Sequence, residues 1–347
     1  MKISYETIIG RSESEIDVNS LLERDLYGQR ILVTGAGGSI GSKIVSKLAT
    51  FSNLEILATD RDENRLHSLS LEVLGTALFL SSQFKVLDVR DQTGVFELVK
   101  SFQPTMVIHA AALKHLAILE KQPREAYLTN VIGTFNVLHA AEKFRVKSFL
   151  NISTDKAANP TSILGKSKAI AEILTKIQRQ KGMGNYTSVR FGNVFNSRGS
   201  VIETFAKQIE LNLPVTLTHP EVKRFFMKIE EAANLSLVSL VLAKGDVHIL
   251  DMGPPIKLSH IVERLIETLG GNSTIEIVGL RQGEKLEEEL WSSSDTIFDS
   301  PVKGIRFLNF NNGKNQFPQI DLIKNPSSDE AAKDLMNELL KDYQLVL

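Results

Sequence analysis

The 347-residue chain carries 40 Lys and Arg against 41 Asp and Glu, a net charge of −1, and 42% apolar residues. That balance argues against nucleic acid as the main partner, because neutralising phosphates takes a surplus of Lys and Arg, and zero Cys excludes disulfides, thiolate metal sites and a Cys nucleophile. No run of about 18 apolar residues occurs, so no membrane span is expected, and the polar, acidic start MKISYETIIGRSESEID lacks the apolar stretch of a signal peptide; a cytoplasmic location is expected.

Residues 1–29 read as an arm before the first strand. RILVT (30–34) is a short apolar run rich in branched residues, and TGAGGSIG (34–41) follows it directly, leading into a segment with helical spacing. Gly35, Gly38 and Gly41 form GxxGxxG between a predicted strand and a predicted helix. Glycine permits the tight turn and the close approach of backbone to a pyrophosphate, and the helix N-terminus then faces the negative charge. Ser39 and Ile40 complete that turn. LEILATD (54–60) ends in Asp60, 19 residues after Gly41, about where a carboxylate reaches an adenosine ribose. Arg61 beside it suits a 2′-phosphate, so NAD and NADP both stay open.

Further apolar runs follow at FKVLDV (84–89), PTMVIHAAA (104–112), KSFLNIST (147–154) and YTSVRF (186–191), with helix-like segments between them. Strands alternating with helices predict a parallel α/β sheet covered on both faces over 30–191. Beyond 191 the pattern loosens: PVTLT, VHILDM and TIEIVG mix with helices at 229–243 and 257–269. Residues 192–347 therefore read mainly as a smaller lobe, with some segments returning to the first domain. PSSDEAAKDLMNELLK (326–341) reads as a capped surface helix. No His/Asp/Glu cluster has metal-ligand spacing.

The TGxxGxxG turn resembles the extended short-chain dehydrogenases/reductases. HAAALKH (109–115), STDKAANP (153–160), RFGNVFNSRGSVI (190–202), THPEVKRFFM (218–227) and GLRQGEKLEEEL (279–290) narrow the resemblance to the UDP-N-acetylglucosamine 4,6-dehydratases of bacterial polysaccharide synthesis, over about residues 8–292. It implies a Rossmann-type doubly wound sheet with a partly discontinuous C-terminal substrate lobe, a homo-oligomer, and a UDP-sugar substrate. The arm IIGRSESEID resembles the segment that joins a membrane anchor to the catalytic domain in long members, so the chain reads as a soluble member or an excised domain.

Dehydration across C5–C6 of a hexose is difficult because H5 is not acidic. Oxidation at C4 makes it so, the C6 hydroxyl leaves by β-elimination, and hydride returns to C6; a tightly held NAD or NADP is regenerated each turn. The protein must supply bases for the C4 hydroxyl and H5, and an acid for the C6 hydroxyl. The resemblance implies Thr154 on the C4 oxygen, Asp155 as the acid, and Lys156 as the base for H5, provided burial and neighbouring positive charge lower its pKa. Alone, Asp155 and Lys156 would read as a surface ion pair finishing a strand. The usual YxxxK is departed from: Lys168 is present, but Leu164 stands where Tyr is expected, and none of the five Tyr has Lys four residues later. One branch of the dehydratases carries Met there and keeps the C5 configuration, so the chain is placed in or beside that branch.

The same resemblance puts Asp88 and Val89 near adenine, Ala110, Ala111 and Ala112 beside the cofactor, and Lys114 and His115 at the nicotinamide side. Asn193, Arg198 and Val201 look like contacts to the substrate's diphosphate and uracil, with Arg224 and Arg281 from the second lobe. Arg281 suits a phosphate and Glu284 a ribose diol; Gln282 replaces the family's usual Pro. A UDP-sugar 4-epimerase and a non-catalytic NAD(P)-binding regulator are the alternatives. The epimerase would not need Asp155 and Lys156 after the Thr.

Overall fold

The computed structural model describes residues 3–11, 18–76, 83–182, 184–242, 244–311 and 323–342. The described residues of the expected arm include two helices, α1 (Tyr5–Ile9) and α2 (Val18–Leu26), before the first strand. Ser4 caps α1 by accepting from Thr7 N, and Gly10 at φ 76° ends it. The α/β alternation then runs β1 (Arg30–Thr34), α3 (Ser39–Leu48), β2 (Glu55–Asp60), α4 (Glu63–Leu74), β3 (Phe84–Val86), α5 (Gln92–Phe102) and β4 (Met106–His109). Two short helices, α6 (Leu116–Lys121) and α7 (Pro123–Ala126), lead through a π-helical turn at Tyr127–Ile132 into α8 (Gly133–Lys143) and β5 (Ser148–Ile152). A single 3₁₀ turn at Asp155–Ala157 precedes the long α9 (Ile163–Gln180), and β6 spans Asn185–Arg190. The helices α10 (Val201–Glu210), α11 (Ile229–Val241), α12 (Leu258–Leu269) and α13 (Asp329–Asp342) follow.

Among the described residues, the main sheet has nine strands in the order β3-β2-β1-β4-β5-β6, continued by Val247–Leu250, Ile305–Asn309 and Thr296–Asp299. The first seven strands of that order pair in parallel, and the last two add antiparallel. This is the Rossmann-type doubly wound sheet, and its order reverses between β1 and β4, where such folds open a binding crevice at the strands' carboxyl ends. The strand expected at VHILDM returns to this sheet beside β6. Apolar faces of α5, α8 and α9 build the core on one side of the sheet, and those of α2, α3 and α11 build it on the other.

A separate apolar cluster joins α1, α10 and α12 to Val215, Leu217 and Phe226. Small strand pairs frame it: Val215–Leu217 with Ile275–Ile277, Lys223–Arg224 with Ile256–Lys257, and Asn193–Val194 with Phe226–Met227. The C-terminal helix differs from expectation. Ser328 Oγ accepts from Ala331 N, so the cap is present, but Ala332, Met336, Leu339 and Leu340 are buried in the core against α7 and α9. Its polar residues hid an apolar stripe at i, i+4, i+7 and i+8.

Candidate active site

The glycine turn lies at the β1 side of the crevice. Gly35 adopts φ 67°, where a side chain is strained, and a Cβ on it would stand 2.5 Å from Ala111 N. Ala110, Ala111 and Ala112 line the same wall, so the close approach of the loop to β4 depends on the small residues on both sides. Gly38 is the N-cap of α3, and Ser39, Ile40 and Gly41 present first-turn N–H groups that have no intrahelical partner. Free N–H groups at a helix N-terminus behind a tight glycine turn are the donor set that a dinucleotide pyrophosphate requires, so the residues present fit that group. Asp60 braces the turn: Oδ2 accepts from Gly37 N at 2.9 Å and Oδ1 from Asp62 N at 3.0 Å. Asp60 and Arg61 both line the cleft, whose volume is about 680 Å³, as do Asp88 and Val89. Burial works to raise the Asp88 carboxyl, but hydrogen bonds from Arg90 outweigh it and hold it below the usual range.

Beneath the floor, His109 is fully buried between Thr34 Oγ1 (2.8 Å) and Thr134 Oγ1 (3.0 Å). Burial, with the nearby Lys168 charge, pushes it down to about 3, so it is a neutral imidazole linking β1 to α8. Asn130, in the π-helical turn, grips Leu113 through both its backbone N and O and also donates to Ser167. That fixes the loop carrying Lys114 and His115. Burial lowers both Lys114 and His115.

The carboxyl end of β5 carries the proton-transfer candidates. Thr154 Oγ1 donates to Asp155 Oδ1 at 2.9 Å, and Lys156 Nζ donates to the same oxygen at 2.9 Å. Thr154, Lys156, Leu164 and Lys168 line the cleft. Asp155 lies just behind them, completely buried, and its Oδ2 has no hydrogen-bond partner. Leu164 and Lys168 lie one turn apart on the same side of α9. Lys168 Nζ is 3.5 Å from Asn151 Oδ1, and burial brings it down to about 8. The Lys156 environment corrects the sequence expectation. Burial does pull its pKa down, but its neighbours are the carboxyls of Asp155 and Glu288, which pull harder, and the ammonium ends above its ordinary value. Arg224 is the one positive neighbour that works to lower it, and the two carboxyls outweigh that effect.

Arg198 lines the cleft and also reaches the glycine loop. Its Nη2 donates to Gly37 O at 2.6 Å, its N donates to Ser39 Oγ at 3.1 Å, and its carbonyl accepts from Lys114 Nζ at 2.7 Å. Gly199 at φ 67° turns the chain so that this segment leans across the glycine loop. Asn193 and Val201 line the same cleft, with His115 facing Gly199. Arg224, Arg281 and Glu284 are not cleft-lining. Arg224 and Glu284 instead pair at 3.1 Å, with Thr218 donating to Glu284 at 3.0 Å, while Arg281 is exposed. Glu288, missed in the sequence, is 4% exposed with Oε1 3.8 Å from Lys156 Nζ. Its one available signal is its place two residues before Leu290, which packs inward. Glu172 was missed as well: it receives Ser153 Oγ at 2.6 Å and a two-pronged contact from Arg190 at 2.8 and 2.6 Å, locking β5, β6 and α9 together.

Residues 31–308 match the polysaccharide biosynthesis protein family. The chain is 41% identical over 300 residues to the capsular polysaccharide biosynthesis protein CapD of Staphylococcus aureus, covering 85% of this chain and 50% of CapD. It thus spans about half the length of that relative. A UDP-glucose 4-epimerase of Rickettsia canadensis is 34% identical over 273 residues, 76% of this chain and 78% of the epimerase. Among solved structures, Pen from Bacillus thuringiensis superposes with a TM-score of 0.73 at 32% identity, over 91% of this chain and 98% of Pen. The UDP-glucose 4-epimerase of Thermus thermophilus, a complex with NAD, gives 0.65 at 23% identity, over 75% of this chain and 90% of that one. The latter likeness is one of fold.

Proposed function

The chain belongs to the polysaccharide biosynthesis protein family of extended short-chain dehydrogenases/reductases, and we propose that it is a nucleotide-sugar 4,6-dehydratase acting on UDP-N-acetylglucosamine. The observation that carries this reading is the Asp155–Lys156 pair, joined at 2.9 Å at the end of β5 beside Lys168. A 4-epimerase needs a group at the C4 oxygen and no more. A carboxyl joined to an ammonium behind the same cleft is the additional machinery that elimination requires.

Gly35, Gly38, Ser39, Ile40, Gly41, Asp60 and Lys168 would hold NAD or NADP, which supplies reversible hydride storage with no net redox change. Lys168, easily deprotonated for a lysine, sits where it can grip a ribose hydroxyl and bias the C4 oxygen. Thr154 positions that oxygen. Lys156 takes H5, and Asp155 passes a proton to the departing C6 oxygen. The 2.9 Å bond between them matters, because moving one proton along it turns carboxylate and ammonium into acid and amine. Each elimination takes one proton from C5 and gives one to oxygen, so the pair's proton count is unchanged.

Incubation with UDP-N-acetylglucosamine and mass spectrometry should show loss of water. Asp155→Asn and Lys156→Met should each lower turnover at least about a hundredfold while keeping the fold and the dinucleotide; near-normal dehydration in either would remove that residue from the mechanism. The second reading, a UDP-sugar 4-epimerase, is favoured by the Rickettsia relative. A C4 epimer at unchanged mass would establish it in place of the first.

A further inference from the structure

Three successive acidic residues at 287–289 look in the sequence like one solvated run, yet each has a different partner. Glu287 pairs outward with Lys223 at 3.0 Å, Glu289 accepts from Asn159 at 2.6 Å, and Glu288 alone turns inward to Lys156. Their segment is stitched in place by Lys223 N and Arg224 Nη1, which both donate to Leu286 O, and by Lys285 Nζ, which donates to Asn159 O at 2.6 Å. Glu288 is thus held behind the cleft-lining Lys156 by its segment's contacts to both the β5 loop and the second lobe.

We propose, resting on the dehydratase reading, that Glu288 is the positioning residue of the Asp155–Lys156 pair, its carboxyl deciding whether Lys156 stays an ammonium or is free to trade its proton with Asp155. The charged groups facing it are Lys156 and Asp155 from the turn after β5, Arg224 from the second lobe, and Lys285 from its own segment. Burial first, with the charge of Asp155, raises the Glu288 carboxyl despite these cations. As the neutral acid, Glu288 leaves Lys156 tied only to Asp155. Ionised, it adds a second negative charge 3.8 Å from Nζ and holds the proton on nitrogen. Wild-type turnover therefore falls as pH rises through the Glu288 titration.

The test has two arms. Lys156 titration, followed by NMR of nitrogen-15-labelled lysines and assigned with Lys156→Met, is expected to move down by about one pH unit in Glu288→Gln, since an opposing charge is gone. The exposed control Glu287→Gln should leave it in place. Should Glu288→Gln not fold, Glu288→Asp keeps the charge one methylene further away and should give a smaller downward move. In the activity arm, Glu288→Gln should lose the alkaline fall that the wild type shows. A Lys156 titration that stays put or moves up, or a Glu288→Gln profile that keeps the wild-type fall, overturns the proposal. If the wild type removes water from no nucleotide sugar, the dehydratase reading fails by itself, and the Lys156 titration still decides the role of Glu288.

Discussion

Leu164 occupies the place of the usual catalytic Tyr, lining the cleft one turn before Lys168. Leucine transfers no proton. If it only fills space beside the sugar, Leu164→Met should be nearly silent, because the two side chains are close in volume and polarity. Leu164→Tyr restores YxxxK. It should give no gain if Thr154, Asp155 and Lys156 form a complete relay, and a large rise in turnover would refute that relay. The C5 configuration of the product, read from proton couplings, should show retention. Lys168 offers a pH test. Its folded pKa is about 8, below the ordinary 10.5, so between those values the unfolded chain holds a proton that the folded chain has released. The burial penalty is complete below about pH 8, and stability recovers as pH rises through that window by up to about 3 kcal/mol. Urea midpoints of dinucleotide-free protein should show this recovery, and Lys168→Met should lack it.

The β1-loop-α3 element is where backbone conformation and ligand fit coincide. Gly35 has φ 67° and its missing Cβ faces Ala111 N, whereas a Cβ on Gly38 would meet only Gly35 O at 3.1 Å. Gly35→Ala is therefore the more disruptive small change: it combines about 1–2 kcal/mol of left-handed strain with a backbone collision. Purified Gly35→Ala should carry no NAD(H) or NADP(H) after denaturation, while wild type should release one of them. The turn after β5 follows a comparable logic with opposite chemistry. Thr154 caps it, and the fully buried Asp155 takes two donors on one oxygen and none on the other. An orphaned buried carboxylate oxygen is costly, and here it lies close to Gly192, which lines the cleft.

Across the molecule, the C-terminal helix is a strut behind the site. α13 packs on α9, the helix that presents Leu164 and Lys168, while Lys166 Nζ donates to Asn337 at 2.8 Å and Arg124 N to Asp329 at 2.8 Å. Met336 has no exposed surface. Met336→Ala should cost about 2–5 kcal/mol, the usual range for emptying a core position, and thermal melting should show a clear fall in midpoint. A surface helix would tolerate the change within a few tenths of a kcal/mol. At the other end, Arg11 reaches Glu231 on α11 at 2.8 Å and also Asp251 O, tying the N-terminal segment to the sheet-covering layer.

The β/α alternation, the glycine turn after β1 and the polar turn after β5 were legible in the sequence because each is written locally, in residue period and in turn chemistry. Local rules also placed Leu164 and Lys168 on one helix face. What the chain could not disclose by itself is which distant segments meet. Glu288 lies 132 positions beyond Lys156 yet sets its charge environment. The stripe on α13 is apolar enough to be buried only because α7 and α9 offer a matching face. Arg224 and Glu284 look like two free surface charges until the second lobe brings them to 3.1 Å and each neutralises the other. Proton affinity and burial depend on neighbours in space, so the charge environment of Lys156 and the burial of Asp155 were decided by the tertiary structure, although their positions were written in the sequence.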